Sequence, residues 1–316
     1  MALSSNRTLL CFTAGVGLSL FTSCSGGAPE PVNEAAEAVI AASCKPAWLL
    51  LEGLLEPQSE LADRVLLCPV GADPGHWSPT RDALGQARSA ELLISLGDDF
   101  EPWVANANLA PSRHLKLLEG TAGPLPEIAT VTHRHGDGPA HSHAGRSPFA
   151  WMDPLRCAEI TTWLNEELSA RYADFDGLER SRQLAEAYRS LDDRARQLFG
   201  RCDGVRLLGP STGECAFWEQ RYDVRIDPFD LPEGEGPLST EELIAVRGRL
   251  DPTRPNLAFV RGDVSDAVRE QLAEKLELTV IALNNGLGKP TSDDPWVNQL
   301  GANFGALEAT LEALGR

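Results

Sequence analysis

The chain has 316 residues, of which 42% are hydrophobic, and it carries a formal net charge of -18. A chain of this length holds two domains of ordinary size, each with a sizeable core. The acidic balance argues against nucleic acids and anionic membrane surfaces as partners, because both repel a negative surface. An acidic surface suits a protein that handles cations, although it also serves solubility alone.

The N-terminus has the pattern of a bacterial lipoprotein signal. Arg7 precedes an apolar stretch, and small residues lead to Cys24, which a polar Ser-Gly-Gly run follows. The pattern predicts a signal peptide over 1–24, a lipid on Cys24 and a flexible tether over 25–36. Phe21 is bulky for such a site, so plain secretion is the alternative. We expect the mature chain in the periplasm or cell envelope, in contact with the membrane through its lipid alone, since no later run could cross a bilayer.

Strand-like and helix-like runs alternate along the chain, which predicts an α/β fold of parallel sheets flanked by helices. Apolar runs of strand length lie at 65–70, 92–96, 205–208, 257–260 and 279–283, with another ending near Cys44 and a weaker element at 113–118. Helical spacing predicts helices over 46–55, 80–89, 154–168, 178–199, 214–222, 240–250, 265–276 and 296–314.

The predicted helix over 178–199 is long enough, at about 30 Å, to cross the back of two lobes. Alternating strands and helices lie on both sides of it. The pattern therefore predicts an N-terminal α/β lobe over 37–174, a linking helix over 175–201 and a C-terminal α/β lobe over 202–316.

The loop GADPGHWSPT, residues 71–80, follows the apolar run at 65–70. Ligands of open α/β sheets bind at the carboxyl ends of the strands, where this loop lies. His76 is therefore a candidate metal ligand, and a hydrogen bond from its imidazole to a backbone carbonyl is an equal alternative. Ser78 suits the N-cap of the next helix, with Pro79 in its first turn. Asp153 and Pro154 have the same pattern before a later helix.

The segment HRHGDGPAHSH, within a loop over 132–147, contains four of the six histidines of the chain: His133, His135, His141 and His143. Neutral imidazole is a good ligand for Zn²⁺. We interpret the segment as a metal-capturing loop of weak affinity, because no packing holds its ligands in place. The alternative is a solvated loop without a ligand. His114 is assigned a structural or surface role.

Enzyme motifs are missing from the sequence, which has no G-x-S-x-G elbow and no H-E-x-x-H, and whose GPSTG run at 209–213 lacks the P-loop lysine. A set of Ser211, His76 and Asp153 could be drawn from most chains of this size, so we predict no enzyme. In an oxidising compartment, Cys44 with Cys68 or Cys202 with Cys215 could form a disulfide, and the sequence leaves the pairing open.

Several short motifs, in this order, resemble those of the periplasmic solute-binding proteins of zinc and manganese ABC importers. They are Lys45-Pro46, the loop 71–80, Leu96-Gly97 with Glu101-Pro102-Trp103, the His-rich loop before SPFAWMDP (147–154), Arg221-Tyr222, Ala258-Phe259-Val260, 280–283 and the last helix with Asn303. A His-rich loop at this position resembles the zinc branch of that family more than the manganese branch. The resemblance implies two lobes bridged by a rigid long helix, with a divalent cation between them. It also implies a monomer that serves an ABC permease and its ATPase in the inner membrane.

The four ligand positions that the resemblance implies are occupied by Gly75, Phe149, Thr212 and Asn284. Phe cannot coordinate, Gly has no side chain, and neutral Thr and Asn oxygens are poor zinc donors. We therefore expect weak or absent binding between the lobes, with Zn²⁺, another divalent cation or no ion as the ligand. Residues from which a replacement site could be built are His76, Glu214, Cys215 and Asp153.

Two functions are consistent with these features. The first is a metal-binding component of a zinc-type importer that relies on its His-rich loop. The second is a diverged scaffold of the same fold that binds another small ligand or a protein partner. An enzyme is a distant third.

Overall fold

The computed structural model describes residues 40–55, 61, 63–97, 100–128, 132–133, 141–142, 145–232, 236–262, 264–288 and 294–316. The predicted signal peptide, lipid site Cys24 and tether lie outside the described residues. So do His135 and His143, and of His133 and His141 the backbone alone is described. Within the described ranges, no helix combines the length and the apolar character needed to cross a membrane.

The first lobe is built on a parallel four-stranded sheet of order β2-β1-β3-β4. Its strands are β1 (Ile40–Ala42), β2 (Arg64–Leu66), β3 (Leu92–Ser95) and β4 (His114–Lys116), and its helices are α1 (Lys45–Leu54), α2 (Arg81–Ser89) and α3 (Pro102–Asn106). Strands β1 and β3 are buried throughout, as their continuous apolar runs predict for a sheet covered on both faces. A short antiparallel pair, β5 (Thr132–His133) and β6 (His141–Ser142), follows in the chain.

The prediction of Ser78 as the N-cap of α2 is wrong. The Oγ1 of Thr80 accepts a hydrogen bond from the backbone N–H of Ala83 at 3.2 Å, so Thr80 is the N-cap and the helix begins at Arg81. The prediction for Asp153 is confirmed, because its carboxylate accepts from the N–H of Leu155 at 2.9 Å at the start of α4 (Pro154–Arg171).

The 23-residue helix α5 (Leu178–Gly200) follows α4 and contacts elements of both lobes. Arg180 Nε donates to the Gly53 carbonyl of α1 at 2.9 Å, which ties the helix to the first lobe. Toward its other end, Arg194 pairs with Glu308 of α9 (Trp296–Ala313), a helix of the second lobe. The long helix predicted from sequence therefore joins the two lobes.

The second lobe contains another parallel sheet, of order β10-β9-β7-β8. Its strands are β7 (Arg206–Gly209), β8 (Ile226–Pro228), β9 (Asn256–Arg261) and β10 (Leu278–Leu283), and besides α9 its helices are α6 (Ala216–Tyr222), α7 (Thr240–Arg247) and α8 (Asp266–Leu276). The predicted fold class, two α/β lobes with parallel sheets bridged by one long helix, is confirmed.

One hydrophobic core runs through both lobes. It joins side chains of the first sheet such as Ile94 to side chains of the second such as Phe259, through α5 residues such as Tyr188. Five cysteines lie in or beside the hydrophobic clusters as buried free thiols: Cys44, Cys68, Cys157, Cys202 and Cys215. Neither of the two disulfides considered from the sequence is therefore present.

Candidate functional site

The carboxyl ends of the two sheets meet in a region that we call the cleft. The N–H of Gly71, in the loop after β2, donates to the Leu287 carbonyl at 3.2 Å. The ammonium of Lys45, at the start of α1, donates to the Gly288 carbonyl at 2.5 Å, and burial lowers the pKa of this lysine. Both acceptors lie in the loop after β10, so the lobes touch directly at the edge where α/β proteins bind ligands.

In the first-lobe loop, Asp73 holds Gly75 and His76 in a tight turn. Its Oδ1 accepts from the Gly75 N–H at 2.9 Å, and its Oδ2 lies 2.5 Å from Nδ1 of His76. A proton on Nδ1 satisfies this contact and leaves the lone pair of the imidazole on Nε2, the arrangement that second-shell carboxylates give metal ligands. The side chain of His76 is 35% exposed.

Phe149, one of the four positions where the resemblance implies a ligand, lies in an aromatic cluster. Its ring centroid is 5.0 Å from that of Trp151 and 6.3 Å from that of Phe100, and the residue is 6% exposed. The indole N–H of Trp151 donates to the Asn285 carbonyl at 2.8 Å, which anchors this cluster to the second lobe. The cluster is apolar, so it supplies no metal donor.

The second-lobe side of the cleft contains a bonded group of four polar side chains. Glu214 is buried, and its Oε1 accepts from Arg261 Nε at 3.2 Å and from Asn285 Nδ2 at 3.5 Å. Its Oε2 accepts from the Thr212 hydroxyl, which in turn accepts from Arg261 Nη2 at 2.7 Å. Thr212 is thus close to a carboxylate, but a guanidinium is bonded to both of them.

Asn284, the fourth implied position, is bonded to α9. Its N–H donates to Asn303 Oδ1 at 2.9 Å, and its side-chain amide donates to Gln299 Oε1 at 3.3 Å. The side-chain oxygen accepts from the Gly286 N–H at 3.0 Å, so it fixes the turn of its own loop.

Asp153 belongs to a buried ionic network. Arg221 Nε lies 2.7 and 2.8 Å from the two oxygens of Asp153 and 3.6 Å from Asp192 Oδ1, which also accepts from the Tyr222 hydroxyl at 3.0 Å. Asp153 therefore neutralises an arginine. In the first-lobe loop, the carboxylate beside His76 is that of Asp73.

Within the described residues, no three or more His, Cys, Asp and Glu side chains are grouped so that they could hold a metal ion. The structure brings Thr212 together with Glu214, and His76 with Asp73, while Asn284 is bonded to α9. It also reveals cleft residues that sequence reasoning missed, Arg261 and Asn285. One signal for Arg261 was available, since it is a single charged residue that ends the apolar run at 257–260.

The predicted His-rich loop is described at the two strands that flank its centre. Strands β5 and β6 are antiparallel, with Thr132 opposite Ser142 and His133 opposite His141. The backbone alone therefore places two of the four histidines at paired positions of one ladder.

Two parallel sheets joined by a long helix form the two-lobe fold of ZnuA-like solute-binding proteins. The chain aligns with the Zn(II)-bound ZnuA-like domain of AdcA from Streptococcus pneumoniae at 15% identity and a TM-score of 0.65, covering 86% of this chain and 98% of that domain. It spans 57% of the length of AdcA itself. Alignment with the metal-dependent lipoprotein YcdH from Bacillus subtilis gives 15% identity and a TM-score of 0.63, covering 86% of this chain and 97% of YcdH.

A third similar structure is the laminin-binding protein Lmb of Streptococcus agalactiae, with 15% identity, a TM-score of 0.62, and coverage of 86% of this chain and 98% of Lmb. No curated protein matches the chain in sequence. The sequence model of the family described as zinc-uptake complex component A, periplasmic (ZnuA), matches residues 58–310. The chain belongs to this family.

Proposed function

We propose that this protein is the extracytoplasmic substrate-binding component of a zinc-type metal ABC transporter. It captures a divalent cation, chiefly through the His-rich loop, and delivers it to a permease and ATPase of the inner membrane. Membership of the ZnuA family supports this role. We further propose that the mature chain is a monomer that begins at Cys24 and is anchored by a lipid there.

The observation that carries the proposal is the register of β5 and β6, in which His133 lies opposite His141. Opposite residues of an antiparallel pair have Cβ atoms about 4.5–5.5 Å apart. Zinc binds imidazole nitrogen at about 2.0–2.1 Å, so a single ion fits between two imidazoles at such a pair of positions. His135 and His143, each two residues further along, are proposed as additional ligands.

A second candidate function is a diverged scaffold that binds another small ligand or a protein. The bonded group of Thr212, Glu214, Arg261 and Asn285 favours it, because a guanidinium beside the buried carboxylate suits a metal ion poorly. His76 is the remaining candidate metal contact on the first-lobe side of the cleft.

Isothermal titration of the mature chain with Zn²⁺ tests the proposal. We expect binding tighter than about 100 μM, which corresponds to about -5.5 kcal/mol, and a loss of at least about tenfold in the double variant His133→Asn, His141→Asn. A matched control is Thr132→Asn with Ser142→Asn, which alters the neighbouring pair of the same ladder and removes no imidazole.

Two results would count against this reading. A folded natural chain that binds no Zn²⁺ at 100 μM or tighter would favour the diverged scaffold. If the double variant binds as the natural chain does while His76→Asn does not, the ion is held in the cleft and the His-rich loop is dispensable.

A further inference from the structure

A guanidinium lies over a buried carboxylate on the second-lobe side of the cleft. Arg261 is the last residue of β9, and its Nε and Nη2 donate to Glu214 and to Thr212 at 3.2 and 2.7 Å. The side chain of Glu214 is 1% exposed, whereas that of Arg261 is 41% exposed. The carboxylate therefore lies inside, and the guanidinium lies between it and solvent.

Both oxygens of Glu214 are already bonded to protein donors. The Thr212 hydroxyl donates to Oε2, while Arg261 and Asn285 donate to Oε1 at 3.2 and 3.5 Å. A cation that approached this carboxylate would meet a group of like charge at contact distance, and in a partly desolvated site that repulsion is far stronger than in water. Arginine does not lose its charge at any physiological pH, so acidity or alkalinity cannot remove the obstacle.

The lobes also touch at this edge through bonds between protein atoms. The Lys45 ammonium and the Gly71 N–H each donate to a carbonyl of the loop after β10, at 2.5 and 3.2 Å, and the Trp151 indole donates to Asn285 O at 2.8 Å. Contact between the two sheet ends therefore does not need a bridging cation.

We propose that Arg261 is the specificity-determining residue of the cleft, where its guanidinium takes the place of a cargo cation beside Glu214 and excludes divalent metals. The inference rests on the proposed function only in its choice of metal ions as probes. Metal capture by the His-rich loop and metal exclusion by Arg261 are tested on different variants. Each proposal can therefore be confirmed or contradicted without the other.

The test uses the full chain with His133, His135, His141 and His143 replaced by asparagine, which we call the loop-silenced chain. Mn²⁺ is the probe, because the donors around Glu214 are oxygens, which suit this ion, and its electron paramagnetic resonance signal reports the free ion directly. We expect the loop-silenced chain to bind Mn²⁺ with a dissociation constant above about 1 mM. Adding Arg261→Gln should raise the affinity by at least about tenfold.

Two matched variants control for the loss of an arginine. Arg261→Lys keeps a positive charge beside Glu214 and should bind as little Mn²⁺ as the loop-silenced chain does. Arg249→Gln removes an arginine that donates to the carbonyls of Pro228 and Asp230 at 2.8 and 3.0 Å, and it should also leave binding unchanged.

Equal Mn²⁺ affinity with and without Arg261→Gln overturns the proposal, and so does binding by the loop-silenced chain tighter than about 1 mM. If Arg261→Gln does not fold, nuclear magnetic resonance of the arginine Nε–H groups of the natural chain tests the proposal instead. The Arg261 signal, assigned by its loss in Arg261→Lys, should not move with excess Zn²⁺. A shift larger than that of Arg249 overturns the proposal.

Discussion

Glu101 is a buried carboxylate of the first lobe, next to the start of α3. Its Oε2 accepts from the Leu96 N–H at 2.7 Å, and its Oε1 makes no hydrogen bond. Burial raises the pKa of this carboxyl above its ordinary 4.5. Between that value and the raised pKa, the folded protein keeps a proton that the unfolded chain has released, so the stability of the natural protein falls as the pH rises.

Glu101→Gln removes this titration while keeping the shape of the side chain. We expect the variant to gain stability relative to the natural protein as the pH rises above 4.5, by about 1.4 kcal/mol per pH unit within the window. Urea unfolding of both proteins at several pH values between 4.5 and 7.5 measures the difference. A difference that is flat across this range, or that moves toward the natural protein, would contradict the prediction.

How much of the site was predictable differs from residue to residue. The chemistry of Phe149 follows from its identity alone, and the structure accordingly places it in an aromatic cluster. By contrast, Arg261 contacts Glu214 because β9 lies beside β7 in the sheet order, and a single sequence does not fix that order. The resemblance pointed to Thr212 on the second-lobe side, whereas the buried carboxylate there is Glu214, just before the start of α6.

At the scale of elements, the helices of seven residues or more were predicted, and the shortest elements were missed. The boundaries of α5 and α9 agree with their apolar periodicity to within one residue, since a period of 3.6 over many turns is a strong signal. Strand β8 and helix α3 were not predicted, because a three-residue strand containing Asp and Pro and a five-residue helix are too short for a period to show.

Strand register also bears on the cysteines. Ala42 lies opposite Leu66 in the parallel pair β1–β2, and Cys44 and Cys68 each follow by two residues, so the register brings these two thiols to the same sheet end. Both are nevertheless free and buried. Burial raises the pKa of Cys68 to about 12 and that of Cys202 to about 11. It raises the pKa of the other three thiols well above the ordinary value.

Because the thiolate is the reactive form, we expect the five thiols to react with a maleimide far more slowly in the folded protein than in denaturant. A soluble chain that lacks 1–24 should give five labelled cysteines once it is unfolded. Fewer labels in denaturant, together with a mass lower by two hydrogens for each missing pair, would show that a disulfide forms.

At the scale of the whole molecule, the two lobes share one hydrophobic core and one ionic network. The network joins Asp153, at the start of α4, to Asp192 of α5 and Arg221 of α6. The lobes are therefore connected by buried charge as well as by apolar packing along the long helix. A change at Arg221, the cation that bridges Asp153 and Asp192, should therefore affect the stability of both lobes at once.

Arg221→Ala removes the cation that Asp153, 1% exposed, shares with Asp192, 11% exposed. Asp153 then keeps Arg156 Nε at 4.0 Å, and Asp192 keeps the exposed Arg196 at 3.3 Å. Removing one partner of a buried ion pair costs about 3–5 kcal/mol, because the remaining charge is desolvated without compensation. Because these weaker pairs remain, we expect a loss near the lower end of that range in the free energy of unfolding, measured with urea as one cooperative transition for both lobes. The matched control is Arg225→Ala, whose side chain is 88% exposed and pairs with Asp227 at 2.6 Å, and its stability should be nearly that of the natural protein. Similar losses of unfolding free energy in both variants would show that the network adds nothing beyond an ordinary surface pair. Two separate unfolding transitions in the natural protein would show that the shared core does not couple the lobes.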